Sequence, residues 1–324
     1  MKDVAMLAGV SQPTVSYVIN NTANISDEVK ERVNKAIEML HYKPNYNAIA
    51  LKTQKNHVIG VIVPDITNSY YSLMASLLEK ALTKSGYTVL LNSTGYKAHV
   101  ETEIVKQLLM HNVEGVIITY QFSNSACWRL LKDSEKRVVT IEAGKQGADF
   151  LQIEADNFNG AYEATKYLLQ QGRKKIAYIG QNSEIEALAL RESGYISALQ
   201  QYSVQKEPII YWTDSPDMKL TEGRKLGEKL IVSDIDGLLV SSDEIAVGIL
   251  KILISHGVKI PEEISIIGYD DIPISKLFIP ELTTVAQPIH EICENAIRML
   301  LHDEDENFSG SLVLKQKLIL RQTT

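Results

Sequence analysis

Lys2-Asp3-Val4-Ala5-Met6-Leu7-Ala8-Gly9-Val10-Ser11-Gln12-Pro13-Thr14-Val15-Ser16-Tyr17-Val18-Ile19-Asn20 opens the chain and holds two short helical patterns around a turn. Residues 3–8 predict the first helix, with Asp3 in its first turn and Val4, Leu7 and Ala8 on one face. Gly9 follows where the turn needs a positive φ. Ser11 is suited to N-cap a second helix that tolerates Pro13 in its first turn, and Val15, Val18 and Ile19 form its apolar face. A third helix starts at the capping-box-like Ser26-Asp27-Glu28-Val29. It carries Val29, Val33, Ala36, Ile37 and Leu40 at helical spacing to about His41.

Two short helices joined by a Gly-containing turn form a helix-turn-helix, whose second helix is the one that enters a DNA major groove. On that helix the exposed Gln12, Thr14, Ser16 and Tyr17 divide into base-reading and phosphate-positioning groups. Gln12 suits an adenine edge, and Tyr17 a thymine methyl or a phosphate. The alternative is an ordinary three-helix bundle whose polar residues merely face water.

Outward from this head, the chain of 324 residues is long enough for two or three domains, with the composition of a globular protein, 45% hydrophobic and 23% charged. No apolar run approaches the roughly 18 residues of a membrane span, and the N-terminus lacks a secretory pattern. Cys127 and Cys293 stand far apart and in no metal-ligand spacing, so free thiols in a cytoplasmic chain are expected. The net charge of -7 conceals an asymmetry. Residues 1–55 hold seven basic and five acidic side chains, a net +2, which leaves -9 for the remainder. A mildly basic head on an acidic body suits a chain that touches DNA at one end.

Several of these stretches closely resemble the head of the lactose repressor (LacI/GalR) family. They are Lys2 to Ser11, Thr14-Val15-Ser16, Val18-Ile19-Asn20, Ile25-Ser26, Val29, Ala36-Ile37, Leu40, Tyr42 and Pro44-Asn45. The resemblance implies that Ser11, Gln12, Pro13, Thr14, Ser16, Tyr17 and Asn20 meet operator DNA. Family members commonly carry Arg or His at the position of Tyr17, which leaves the preferred base open. Asn45-Tyr46-Asn47-Ala48-Ile49-Ala50-Leu51-Lys52 is too short to hold a helix alone in water. In the family the matching stretch folds only when two subunits meet on DNA, and the leucine matching Leu51 wedges into the minor groove. Asn45, Ala48, Leu51 and Lys52 are the DNA contacts expected there. Ile49 replaces an Arg that many members have, so one contact of that hinge is missing.

From His57 the pattern changes. Val58-Ile59-Gly60-Val61-Ile62-Val63 reads as a parallel strand buried on both faces, followed by a helix over about 70–84. Further strands are expected near 88–91, 115–119, 137–141, 176–179, 208–211, 237–240 and 264–268. Helices are expected near 101–111, 158–171, 186–201, 221–232, 244–256 and 289–301. The fold class is therefore an all-α helix-turn-helix headpiece plus hinge helix, joined to a two-subdomain doubly wound α/β body. The resemblance makes that body periplasmic-binding-protein-like, with three crossings between subdomains, near Asp156-Asn157, Thr284-Val285-Ala286 and 311–317. The expected domains are 1–44, the hinge and linker 45–56, and an effector-binding and dimerisation body 57–324. Its N-subdomain spans about 57–156 plus 286–311, and its C-subdomain about 157–284 plus 317–324.

A ligand belongs at the carboxyl ends of the strands, between the halves. Four polar spots follow predicted strands. Asp65-Ile66-Thr67-Asn68-Ser69-Tyr70-Tyr71 resembles the family's Asn-Pro-aromatic-aromatic element with Ser69 for proline; Tyr70 and Tyr71 either meet a sugar or pack a helix start. Arg191, three residues before Gly194-Tyr195, offers donors for vicinal hydroxyls or a carboxylate, or else forms a salt bridge. Asp270 in Gly268-Tyr269-Asp270-Asp271 resembles the family's ligand aspartate, while Asp271 suits a cap of the next turn. Asp156, matching the family's first-crossover Asp-Asn, contacts ligand or holds the hinge. Asp65 and Asn68 are further candidates in the first element, and Ser242 stands where family sugar sensors often have Asn. Glu142-Ala143 stands where many have Asp-Arg. Trp212 and Trp128 either line the cleft or fill a core.

No Gly-rich phosphate loop follows the first strand, and neither a nucleophile elbow nor a metal-spaced cluster is present in the sequence. A secreted solute-binding protein fits residues 57–324 but not the head. The resemblance implies a homodimeric regulator of transcription, associated with the nucleoid, a repressor of sugar uptake or catabolism genes and not an enzyme. Its partners are double-stranded operator DNA and a small-molecule effector, either a sugar or another metabolite such as a nucleobase. No cofactor, metal or membrane is expected. The C-terminus has no apolar heptad, so a dimer rather than a tetramer is the expectation.

Overall fold

A computed structural model describes residues 1–20, 23–42, 56–119, 125–181, 185–202, 205, 207–215, 219–301 and 311–324. The chain forms two compact units, Met1–Asn56 and His57–Thr324. Among the described residues, no helix is long and apolar enough to cross a membrane.

The first unit holds α1 (Lys2–Ala8), α2 (Gln12–Asn20) and α3 (Asp27–Met39). Gly9 closes α1 in the left-handed conformation, φ 65°, which a side chain would strain. Val4, Ala5, Ala8, Val15, Val33 and Ala36 make its small core. Leu7, expected inside, is half exposed and Ala5 is buried in its place. In a helix of only two turns the buried stripe is set by where α3 lies, and small Ala5 permits the closer approach. Ser26 caps α3 without a side-chain hydrogen bond, so the expected capping box does not form.

The second unit contains two six-stranded sheets. One follows the order β11-β5-β4-β3-β1-β2 and the other β12-β10-β9-β8-β6-β7. The first is built from β1 (Val58–Val63), β2 (Thr88–Ser93), β3 (Gly115–Thr119), β4 (Arg137–Ile141), β5 (Leu151–Ala155) and β11 (Ser311–Leu314). The second is built from β6 (Ile176–Gly180), β7 (Ile209–Trp212), β8 (Gly237–Val240), β9 (Ser265–Asp270), β10 (Thr283–Ala286) and β12 (Lys317–Ile319). Among the described residues every pairing is parallel except β10 with β12. The helices of the first lobe are α4 (Ser69–Lys84), α5 (Ala98–Met110), α6 (Ser125–Asp133) and α11 (Ile289–Leu301). Those of the second are α7 (Asn157–Gln170), α8 (Glu186–Tyr202), α9 (Leu220–Leu230) and α10 (Asp243–Ser255).

Each sheet is covered on both faces, which explains why its central strands read as apolar runs. In the first lobe one apolar cluster joins Ile59, Val61, Met74, Leu78 and Met299, and another joins Ile62, Leu108, Val116 and Leu131. Trp128 belongs to this second cluster, its ring 5.5 Å from that of Phe150, so it fills the core and does not line the cleft. The second lobe has matching clusters around Val240, Ile245 and Leu250, and around Tyr178, Tyr195 and Tyr269.

The chain passes between lobes after β5, after β10 and after β11. The second passage, expected near Thr284-Val285-Ala286, lies beyond them at Gln287-Pro288, because 283–286 are strand β10. A strand so rich in Thr is stable in the interior because its hydroxyls are paired, Thr284 Oγ1 donating to Asp243 Oδ1 at 2.6 Å. Likewise 311–314 are strand β11, and Lys315-Gln316 alone make the third passage.

Candidate functional site

In the head, α2 presents Gln12 and Pro13 to solvent together with Tyr17, 45% exposed, while Val15 is sealed below. Ser11 Oγ accepts from Thr14 N at 3.3 Å and lies 2.8 Å from Thr14 Oγ1, so these hydroxyls fix the helix start. Ser16 lies half-buried beside them, and Asn20 is the last residue of α2. The other expected contacts, Asn45, Ala48, Leu51 and Lys52, lie outside the described residues.

In the body, a cleft of about 700 Å³, its open mouth included, lies at the carboxyl ends of the strands of both lobes. Asn68, Tyr70, Tyr71, Thr119 and Glu142 line it from the first lobe. Gln181, Arg191, Ser241, Ser242 and Asp270 line it from the second, with Gln287 at the passage between them.

The three passages meet in one network. Asn157 at the first is fully buried; its Nδ2 donates to Glu142 Oε2 at 2.8 Å, and its Oδ1 accepts from Arg191 Nε at 2.8 Å. Gln316 at the third passage donates from Nε2 to Asn157 Oδ1 at 3.3 Å and to Gln287 Oε1 at 2.8 Å. Gln287, from the second passage, in turn reaches Asp270 Oδ1 at 3.4 Å. Tyr269 adds a hydroxyl hydrogen bond to Gln316 Oε1. Gly160 permits this junction, since a Cβ there would lie 1.9 Å from Gln316 Oε1 and 2.7 Å from the Tyr269 hydroxyl.

Arg191, 7% exposed, also donates from Nη1 to Ser241 O at 2.9 Å and stacks 3.7 Å from the centre of the Tyr269 ring. Its Nη1 stands 3.9 Å from Asp270 Oδ1. Glu142 and Asp270 have φ values of 58° and 109°, uncommon for residues with a Cβ, which turn each carboxyl off its strand end into the cleft. Burial pushes Asp270 up to about 7, and burial with the Glu154 charge pushes Glu142 up to about 8.

Residues 1–45 match the model for bacterial regulatory proteins of the lacI family, and residues 165–324 match that for the periplasmic binding protein-like domain. The chain is 30% identical to the HTH-type transcriptional regulator RegA of Clostridium saccharobutylicum over 329 residues, covering 100% of this chain and 98% of that one. It is 32% identical to catabolite control protein A of Staphylococcus epidermidis, with 99% and 98% coverage. The chain belongs to the lacI family.

Among solved structures, the lac repressor bound to ONPG in the repressed state superposes with a TM-score of 0.87 at 25% identity, covering 99% of this chain and 98% of that one. A LacI family transcriptional regulator from Enterococcus faecium with bound ribose gives 0.74 at 29% identity, covering 82% and 98%. This lacI-family chain is therefore a ligand-responsive, DNA-binding transcriptional regulator rather than an enzyme, with a helix-turn-helix head and a periplasmic-binding-protein-like α/β body.

Within the lacI-family body, not every sequence candidate lies at the cleft. Asn68, Tyr70, Tyr71, Arg191, Ser242 and Asp270 do. Asn68 and Ser242 are also N-caps, of α4 and α10, accepting from Tyr70 N at 3.0 Å and Glu244 N at 3.2 Å. Asp65 is not among the lining residues. It accepts from Thr67 N and Oγ1, both at 2.8 Å, and pairs with Lys219 of the other lobe at 3.2 Å. Those partners hold its carboxyl below the ordinary aspartate value although burial opposes them. Asp156 caps α7 through Asn159 N at 3.1 Å, also away from the lining. Trp212 stands 38% exposed at the end of edge strand β7, with its ring outside the cleft. Asp271, beside Asp270, turns instead to Ser275 at 3.2 Å and to Arg321.

In the sequence Asn157 stands out only as part of the first crossing and Glu142 only as a departure from the family pattern, and Gln181, Gln287 and Gln316 are not singled out. Their shared signal is a polar side chain at a strand end or at a passage between lobes. That signal is visible only once the strand bounds are known.

Proposed function

We propose that this chain acts as a homodimer that represses carbohydrate uptake or catabolism genes, with a sugar as its effector. Two copies present their α2 helices to the two halves of a pseudo-palindromic operator, matching the two-fold axis of the dimer. Gln12 and Tyr17 read bases, Ser11, Pro13, Thr14, Ser16 and Asn20 position the helix, and Leu51 of the hinge enters the minor groove beside Asn45, Ala48 and Lys52.

The observation that carries the reading is the junction of Asn157, Gln287 and Gln316. A ligand that touches Arg191 or Glu142 touches a hydrogen-bond partner of Asn157 at the first passage, and one that touches Asp270 touches a partner of Gln287 at the second; Gln316 of the third passage bonds both Asn157 and Gln287. Ligand binding therefore biases the angle between lobes, the two-state element that allosteric coupling requires. The sugar class is supported by the ribose bound in the Enterococcus faecium relative and by the donor and acceptor set of the cleft. Asn68, Tyr70, Tyr71, Arg191, Ser242 and Asp270 are its expected contacts.

Selection of full-length protein on random-sequence duplexes tests the DNA half of the proposal. Recovery of a two-fold-related motif, bound with an affinity that falls steeply with salt, is expected. Recovery of no sequence preference would overturn it.

A further inference from the structure

The charges of the cleft do not balance. Its described lining carries two carboxyl groups, Glu142 and Asp270, against one cation, Arg191. That guanidinium is already committed to Asn157 Oδ1, to Ser241 O and to the face of Tyr269. Its approach to Asp270, 3.9 Å, is beyond hydrogen-bond length. Glu142 receives neutral donors, Ala155 N and Asn157 Nδ2, each at 2.8 Å. Asp270 receives the amide of Gln287 at 3.4 Å.

A second observation lies beside these groups. The Tyr70 hydroxyl is wholly buried and has no hydrogen-bond partner among the described residues. It lies within electrostatic reach of Glu142 and Asp270, whose charges, after burial itself, oppose its ionisation. Buried hydroxyls are rarely left unsatisfied, so a polar group of the ligand is the natural partner. Tyr71 packs edge-on to Tyr70 at 5.3 Å, and Tyr96 also lines the space. Tyrosine faces attract cations, and most strongly where water is excluded.

We propose that the effector carries an ammonium group: it is a polyhydroxylated amine, with an amino sugar as the prototype. The nitrogen sits among Asp270, Glu142 and the Tyr70 hydroxyl, while hydroxyls of the same molecule meet Gln181 and Gln287. An ammonium brings donors and a positive charge together and would draw both carboxyl groups toward their ionised form, which a neutral sugar cannot do. The upward displacement of both carboxyls agrees with a site whose counter-charge arrives with the ligand. This inference rests on the cleft being the effector site, and it narrows the class of sugar.

The test uses full-length protein in calorimetric titrations near neutral pH with three matched sets. These are glucosamine, N-acetylglucosamine and glucose, and the corresponding galacto and manno compounds. The N-acetyl forms keep the nitrogen and remove its charge. In at least one set the free amine is expected to bind about ten-fold or more tightly than both neutral members. Glu142→Gln is expected to shrink that gap by weakening the amine more than either neutral member of its set. A neutral or acetylated sugar binding as tightly as its amine would overturn the ammonium while leaving the sugar reading intact. Failure of every compound to bind would overturn both together.

Discussion

Ser69 and Glu244 face each other across the cleft, and both the amide and the hydroxyl of Ser69 donate to one oxygen of Glu244, at 3.0 and 2.6 Å. The carboxylate comes from the first turn of α10 in one lobe and meets the first residue of α4 in the other. It receives two donors there and lies at the positive end of a helix dipole. The Asp65–Lys219 pair at 3.2 Å and the Lys145 amide bonded to Glu186 at 2.9 Å also join the lobes. A proline at position 69, as in the pattern this chain departs from, could supply neither donor to Glu244.

This contact predicts an effect on closure. Glu244→Gln keeps the shape and removes the charge, at a cost of about 1 kcal/mol, since the site is only partly buried. If the closed form is the one that holds effector, binding weakens about five-fold, mostly through faster release. Stopped-flow dissociation of the tightest ligand from the sugar panel checks this, and an unchanged off-rate would show that the Ser69–Glu244 contact does not hold the closed form.

The junction at the passages makes a steric prediction. Gly160→Ala places a methyl group against Gln316 Oε1 and the Tyr269 hydroxyl, 1.9 and 2.7 Å away before relaxation. Overpacking of this kind costs about 1–3 kcal/mol, read as a lower urea midpoint for the body. Because Gln316 must move, the variant should also respond less to effector. A variant with wild-type stability and response would show that the network is incidental.

Glu101 offers a test by pH. It is fully buried beside Cys127 in the first lobe, and burial raises its carboxyl from 4.5 to about 7, while the thiol hydrogen bond only partly opposes this. Between those values the folded chain keeps a proton that the unfolded chain has released. Its contribution is therefore complete below about pH 4.5 and is lost as pH rises through about 7. Glu101→Met should then stabilise the protein by about 1–3 kcal/mol at pH 8 and by less at pH 5.5. Equal gains at both pH values in chemical melts would contradict the buried-acid explanation.

On the DNA side, Gln12→Ala should cost about 1–3 kcal/mol on the selected duplex and relax the preference at one base pair of each half-site. The slope of affinity against salt should stay unchanged, because no phosphate contact of a cation is lost. A changed slope with the base preference intact would reassign Gln12 to the backbone.

Much of the fold was legible because its patterns are local. Val58–Val63 is an apolar run, and the stripe of α3 recurs at helical spacing. Strand β5 was not legible: Gln152 and Glu154 interrupt its run, and they are tolerated because Gln152 Nε2 bonds Gly144 O at 2.6 Å and Glu154 accepts from Gly144 N at 2.8 Å. Helix α6 escaped as well, although it is amphipathic, because nine residues give its apolar face little more than two turns in which to recur. The cleft divided in the same way. Asp270 stood out as a polar residue at a strand end, and Arg191, inside α8, through a spacing to Gly194 and Tyr195 that resembles the family's Arg-x-x-Gly-aromatic element. The pairing of Asn157 with Gln316 joins side chains 159 positions apart, and no local pattern announces it.

Coupling between the cleft and the reading head is tested most directly by measuring both affinities of one preparation. Fluorescence anisotropy gives affinity for the selected duplex with and without a saturating amount of the tightest sugar from the panel. Calorimetry gives affinity for that sugar with and without duplex. Both are expected to change by the same factor, about five-fold or more, since binding linkage is reciprocal. Affinities that remain unchanged in both directions, although each ligand binds alone, would contradict it.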